Sequence, residues 1–591
     1  MTPKDFMHLT PEHIAQLEAQ GNTAEDWNNI FVYNNFSADL IWRNHFEGEV
    51  ELGRFEKGKL HGGDLMLTEG IYDSRIRNCR ITEGSAVHHV RMLSGYTIWG
   101  TLYNIGQMTA TATTPLYADV MNENGGRRVI FDAESSLAQL YLMAKMRGCP
   151  RLLQQLEKTV SAGYFRAHGT ITNCQRISNT TILGDSVVSE AIAIENSVIG
   201  YHNHVVRGCV MRNTLTGENV HIEDCARIND SIIGDNSTIA RCEVGNSFIF
   251  PAHEQHHNNS FLIAATIMGQ SNIAAGATIG SNHNGRTADG ELRAGRGFWA
   301  GLCTSFKHPS YFASYCLVAK GDYPNELNIT LPFSLINNNA AKNQLEVMPA
   351  YWWLYNMYAL RRNEKKFAER DKRTLKLNRI EFDPLAPDTV EEIVCARELL
   401  RHWTEQAYLR SPQQGEKIEI TANAMEHGRR KVVILKAAQA YAAYEQMLYY
   451  YIGNVLTADG RNLPSADLAG QRETRWMNLG GLLVPQCSLD KTLHGIENSE
   501  DLDSYHIRDQ IIWLFEFDYP KQKRQHAYRL LCDLSGKKTI DEQLWQKTLQ
   551  RYDEICRHVD NQVRITREKD DANPFRRMMY DSDDEMHAVL G

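Results

Sequence analysis

A chain of 591 residues exceeds what one hydrophobic core supports, about 250–300 residues, so several units are expected. With 42% hydrophobic and 23% charged residues it has the composition of an ordinary water-soluble protein. A net charge of −9 excludes a general attraction to nucleic acid or to an anionic membrane surface.

Residues 1–34 read as a helical lead-in: Thr10-Pro11-Glu12-His13 is an N-cap with proline in the first turn, and Gly21 ends the segment. Met1-Thr-Pro-Lys-Asp-Phe6 lacks the apolar run of a signal peptide. Residues 35–118 carry a faint rhythm, with Ile71, Ile76 and Ile81 five apart and turn residues between them. Residues 119–167 interrupt it with a capped amphipathic helix over 132–146 and a second over Leu152–Tyr164.

The rhythm is strongest in residues 168–345. Ile267, Ile273 and Ile279 recur every six positions, as do Ile171 and Ile177, Ile222 and Ile228, and Ile233 and Ile239, with some steps shortened to five. Neither a helix nor a lone strand needs a six-residue period, whereas a coil of short strands joined by turns does. Corners are marked at Gly184-Asp185, Gly217-Glu-Asn219, Gly234-Asp-Asn236, Gly245-Asn246, Gly269 and Gly276. The fold expected is mainly β: a left-handed parallel β-helix of hexapeptide repeats with a helical insertion and an α-helical C-terminal domain.

Residues 346–570 read as helical, with segments over Tyr351–Arg373, Val390–Leu409, Ile418–Leu456, Ser504–Phe517, Lys521–Leu534 and Asp541–Arg567; residues 571–591 form a charged, extended tail. The stretch Val432–Leu456 is broken by Lys436, Gln439 and Glu445, so it reads as a buried helix and not a membrane span. Trp352, Trp353, Tyr355 and Tyr358 make an aromatic patch suited to sealing the open end of the β-coil. A cytoplasmic location is expected.

The runs Ile263–Arg286 and Met348–Leu360 resemble the trimeric LpxA-like hexapeptide-repeat superfamily, and most closely a bacterial subfamily of it that appends a helical domain. That resemblance implies a homotrimer, sites in clefts between subunits, and acyl or acetyl transfer from acetyl-CoA or another acyl-CoA to a small anionic or sugar-derived acceptor. A non-catalytic metabolite-binding or scaffold protein is the alternative. No metal cofactor, nucleic acid or membrane partner is expected.

Three clusters carry candidate chemistry. His253-Glu-Gln-His256-His257 interrupts the rhythm; it suits a metal or a general base at His257, or simply an exposed loop. Gly280-Ser-Asn282-His283-Asn-Gly-Arg286 ends the best repeats. There the resemblance puts a His general base at His283, and Asn282, Arg286, Arg293 and Arg296 are read as substrate or anion contacts. Lys307-His308 follows one to two coils on; Lys307 beside it would favour the neutral, basic imidazole of His308. Cys209, Cys225 and Cys242, sixteen and seventeen residues apart, read as a stacked column of buried thiols or a thiolate metal ladder. Gly125-Gly126-Arg127-Arg128 lacks the spacing of a phosphate-binding loop; it suits a weak anion site or an ordinary turn.

Overall fold

A computed structural model describes residues 6–62, 64–280, 290–410, 418–499, 503–571 and 573–590. Helix α1 (Pro11–Ala19) begins where the sequence puts it: the Thr10 hydroxyl accepts from the His13 amide. Beyond it, short strands join into one sheet of 39 strands, paired in parallel over most of its length.

The architecture is a closed parallel sheet of barrel type, ten strands around the closure with many more added, together with helices; a left-handed hexapeptide β-helix is not what forms. The physical reason lies in the spacing. Three hexads per repeat would pair residues eighteen apart. Ile177 instead pairs with Ile194, and Met211 with Ile228, seventeen apart, and Ile228 pairs with Val244, sixteen apart. Ile279 pairs with Phe306 across the excursion at 281–289. Other strands do pair eighteen apart, Val244 with Leu262 and Leu317 with Leu335, so the pairing distance varies along the sheet and no uniform three-hexad repeat runs through it.

Inward positions stack across these pairings. One column runs Ile177, Ile194, Met211, Ile228, Val244, Leu262, Ile279, Phe306, Tyr323, every member buried. Another runs Ile233, Ile249, Ile267, Ala294, Phe312, Ile329. Each buried aliphatic side chain contributes roughly 1.5–3 kcal/mol of transfer free energy. A residue next to an inward one along the strand points outward, yet Leu183, Val198, Leu215, Ile232 and Phe248 are buried too. These doublets form an outer stripe that the insertion covers.

The insertion leaves the sheet after Gln107–Thr109 and returns at Arg166–Thr172; the strand Thr97–Ile105 just before it pairs directly with Arg166–Thr172, Leu102 with Ile171. It contains a hairpin (Leu116–Asp119 with Arg128–Phe131) and helices α2 (Leu137–Lys145) and α3 (Pro150–Lys158). The Ser136 hydroxyl caps α2. Tyr141 of α2 packs edge-on to Phe248 and Phe250 on the outer stripe, ring centroids 5.4 and 5.0 Å apart. Leu479, Leu482 and Val484 from the C-terminal part close this second core.

At the corners, Asp185, Asn219, Asn236 and Asn246 carry the positive φ. The adjacent glycine serves close approach: a Cβ on Gly217 would lie 2.0 Å from the Asp235 carboxylate. Asn179, Asn196, Asn213 and Asp230 form a side-chain ladder up one corner, at 3.0, 3.2 and 3.2 Å.

The last parallel edge is covered by the antiparallel strand Gln344–Met348, then by Lys431–Ile434 and Ile420–Thr421. This corrects the helix expected over Ile418–Leu456. The β-branched run Val432-Val433-Ile434 pairs with the free edge, and α7 begins only at Ala437 (Ala437–Leu456). Helices α4 (Tyr351–Tyr355) and α5 (Met357–Glu369) bury Trp352 and Trp353, and Trp353 donates to Gln446 of α7 at 2.9 Å. Then follow α6 (Pro387–Arg410), α8 (Gln486–Glu497), α9 (Ser504–Trp513), α10 (Tyr519–Ser535) and α11 (Glu542–Asp571). The tail is not extended: it holds α12 (Pro574–Arg577) and α13 (Asp583–Leu590). No helix of the described residues is long and apolar enough to cross a membrane.

Candidate active site

A cavity of about 630 Å³ lies where α6 and the hairpin of Trp476–Leu479 with Leu482–Pro485 face the outer side of the sheet. The sheet register sets its first wall: Arg293 and Tyr311 are direct neighbours on adjacent strands and both line it. Helix α6 supplies the second wall through Glu391, Glu392, Cys395 and Leu399, the pattern of one helical face. Thr474 to Asn478 supply the third.

What holds α6 in place is Arg296. Its guanidinium pairs in bidentate fashion with Asp388 in the first turn of α6, at 2.9 and 2.8 Å, and donates to the Gln270 side chain and the Glu381 and Asp383 carbonyls. Burial alone would lower its pKa; the Asp388 carboxylate more than offsets this and raises it. Arg296, expected as a substrate or anion contact, is thus engaged by Asp388 and the loop before α6 while also lining the cavity.

Glu392 faces the cavity from α6. Its carboxylate accepts the Ser314 amide at 2.9 Å. Burial, helped by the negative charge of Asp388, pushes its pKa up to about 7 against the pull of the Ser314 donors and Arg296. A carboxyl poised there gives and takes protons at neutral pH. Burial, and Glu392 itself, raise the Tyr311 phenol, which stays protonated. Glu391 is fixed from behind: its carboxylate accepts from His526 Nε2 at 2.7 Å, and His526 Nδ1 lies 2.9 Å from the Tyr451 hydroxyl. Burial lowers the His526 pKa against the pull of the Glu391 carboxylate.

Two donors in the walls lack a protein partner. Arg293 Nε and Asn478 Nδ2 are buried and have no hydrogen-bond partner among the described residues. Among the described residues Arg293 makes no ion pair, and its guanidinium lies 3.9 Å from the Met268 sulfur. Buried donors without acceptors are costly, about 1–3 kcal/mol each, unless a ligand supplies the acceptor.

The other sequence candidates fall elsewhere. Asn282, His283 and Arg286 lie outside the described residues. His308 is buried against Gly280, its Cε1 2.8 Å from where a Cβ on that glycine would stand. Lys307 pairs with Glu326 at 2.9 Å, and Glu326 also meets His427 at 3.1 Å. The histidine cluster does not converge. His253 is fully buried between Ser271 and Gln255, its pKa pushed down to about 4 by burial. His256 pairs with Glu254, which also takes Lys366 and Arg370 of the helical part. His257 is exposed on the surface, its ring tilted against that of His256 with centroids 4.4 Å apart. Cys209 and Cys242 are buried, with thiols pushed up to about 12 by burial, and Cys225 is exposed, so the three form neither a uniform buried column nor a thiolate ladder. Sequence reasoning named Arg293 but missed Glu392, Tyr311 and Asn478. The one available signal was Glu391-Glu392 in an otherwise apolar turn of the helix predicted over Val390–Leu409.

The sheet, the insertion and the helical part together define a protein whose parallel sheet carries a polar cavity under a helical cover. Over residues 6–265 and 165–404 the chain matches the family described as Domain of unknown function (DUF4954), and it belongs to that family. A protein of Treponema pallidum (strain Nichols), described as an uncharacterized protein, is 38% identical over 656 aligned residues, spanning 100% of this chain and 90% of that one.

Proposed function

We propose that the protein binds a small anionic metabolite in the cavity under α6 and acts on it by proton transfer, with Glu392 as general acid and base. One observation carries the reading: a carboxyl with a pKa of about 7 shares a 630 Å³ cavity with two partnerless donors, Arg293 Nε and Asn478 Nδ2. The donors suit the acceptor oxygens of an anion, and Glu392 suits a proton moving to or from it. Acyl transfer rested on the superfamily resemblance and on His283; the described residues support the cavity. All twelve cysteines are free, which fits a reducing, cytoplasmic setting.

A panel of small carboxylates and phosphate esters, read by thermal shift on the full chain, tests this. Saturation at a hundredfold excess over Kd adds roughly 2.7 kcal/mol, which visibly raises the midpoint. The expected result is at least one stabilising anion whose effect weakens in Asn478→Leu and whose turnover is lost in Glu392→Gln. No stabilising anion across the panel overturns the reading.

A further inference from the structure

The wall built from Trp476–Leu479 carries a donor of fixed orientation. Asn478 is only 5% exposed, and its side-chain oxygen accepts the Gly481 amide at 2.7 Å across the hairpin turn. That bond decides which way the side-chain amide lies, since only its oxygen can meet an N–H. Nδ2 is the end left without a partner among the described residues, in a side chain that lines the cavity. Helix α6 carries the opposite kind of group. Glu391 lines the same cavity, and both of its contacts fall on one oxygen: Oε1 meets His526 Nε2 at 2.7 Å and Arg472 Nε at 3.3 Å. Its other oxygen, Oε2, has no partner among the described residues and is left for the donor of a ligand.

Trp476 joins these two walls. Its ring stands edge-on to His526, centroids 5.8 Å apart, and to Tyr519, 5.9 Å apart, while its indole N–H donates to the Glu473 carbonyl at 3.0 Å. Trp476 and Asn478 lie two residues apart on one strand, so they share a face at a spacing of roughly 6–7 Å. The cavity therefore offers one small molecule a hydrogen-bond donor, a carboxylate oxygen and a fixed aromatic surface. Its charged lining is of both signs, Arg293, Arg296 and Arg475 with Asp388, Glu391 and Glu392, which suits a ligand that carries both. Resting on the reading of the cavity as an anion site, we infer that its ligand is an α-amino acid with an apolar side chain. The ligand carboxylate accepts from Asn478 Nδ2, the ammonium donates to Glu391 Oε2, and the side chain lies along Trp476. A carboxylate selects an ammonium over a hydroxyl because the hydrogen bond is then charge-assisted at both ends. A volume of about 630 Å³ leaves room for the apolar side chain.

Titration calorimetry of the full chain with four probes tests it: L-phenylalanine, 3-phenylpropanoate without the amino group, phenethylamine without the carboxylate, and 3-phenyllactate with a hydroxyl in place of the amine. L-Phenylalanine is expected to bind about tenfold more tightly than each of the others. Glu391→Gln should erase its advantage over 3-phenylpropanoate and leave the affinity for 3-phenylpropanoate itself unchanged. Asn478→Leu should weaken L-phenylalanine and 3-phenylpropanoate by about tenfold and leave phenethylamine unchanged. Glu398→Gln, exposed on the same helix, should alter none of the four. Should a variant fail to fold, the comparison of the four probes on wild type decides by itself. Binding of 3-phenylpropanoate or 3-phenyllactate as tight as that of L-phenylalanine overturns the amino-acid inference and leaves the anion reading standing. Binding of none of the four also overturns it, while stabilisation by a different anion in the thermal-shift panel would still support the anion reading.

Discussion

Glu392 is where single-residue chemistry is most exposed to test. A glutamic acid has an unperturbed pKa near 4.3, and in the folded chain it sits at about 7, so the folded state holds a proton that the unfolded state has released. Stability contributed by this group is therefore present at low pH and is lost as pH rises from about 4.3 to about 7. Glu392→Gln keeps an acceptor for the Ser314 amide and removes the charge. It should stabilise the protein by about 2–3 kcal/mol at pH 8 and change little at pH 4.5, read from urea unfolding at both values. Arg296 is the opposite case. Asp388→Asn strips a buried guanidinium of its counter-charge and should destabilise by about 3–5 kcal/mol, with a lower urea midpoint as the readout. A loss within 0.5 kcal/mol would remove Arg296 from the account of how α6 is held.

Among elements, the asparagine corner shows how the sheet turns without glycine. Asn196 sits at φ 49 and links Asn179 to Asn213 through its amide. Asn196→Ala loses both the tolerance of the left-handed conformation and the ladder, an expected cost of about 1–2 kcal/mol. Asn196→Gly restores the backbone and should recover part of it in the same thermal melt; equal losses would mean that the ladder alone matters. At this scale the sequence was most legible. Inward columns such as Ile177, Ile194 and Ile228 announce parallel stacking, and the Asp and Asn corners announce the turns. Doublets such as Ile232-Ile233 carried a further message, that the outer face is also covered, which a search for a six-residue rhythm passes over. The period itself misled: a perfect run over Ile267–Ile279 suggested uniform hexads where the pairings vary between sixteen, seventeen and eighteen. The Val432–Ile434 strand was hidden for a related reason, since its partner edge is over eighty residues away.

For the whole molecule, sheet and helices are stitched by carboxylates embedded in the sheet. Glu218 accepts the Thr374, Leu375 and Lys376 amides at 2.6, 2.8 and 2.8 Å, and Asp235 pairs with the buried Arg373 at 2.9 Å. These contacts pin the segment between α5 and α6, and through it the cavity wall that bears Glu392. Glu218→Ala should free that segment and bring early protease cleavage near Lys372–Lys376, with the sheet intact by circular dichroism. The cavity was scarcely legible beforehand for this reason. Arg293, Glu392 and Asn478 come from three separate stretches, and Arg296 looks like a free cation until Asp388 meets it across ninety-two positions.

The most direct test of the central claim is the proton balance of anion binding. Calorimetry with sulfate, which does not titrate near neutrality, in two buffers of different ionisation enthalpy at pH 7.5 reads how many protons enter with the anion. A bound dianion near Glu392 raises its pKa further, so wild type should take up a substantial fraction of a proton and Glu392→Gln almost none. Equal uptake in both proteins, or none in a wild type that binds sulfate, would contradict the account.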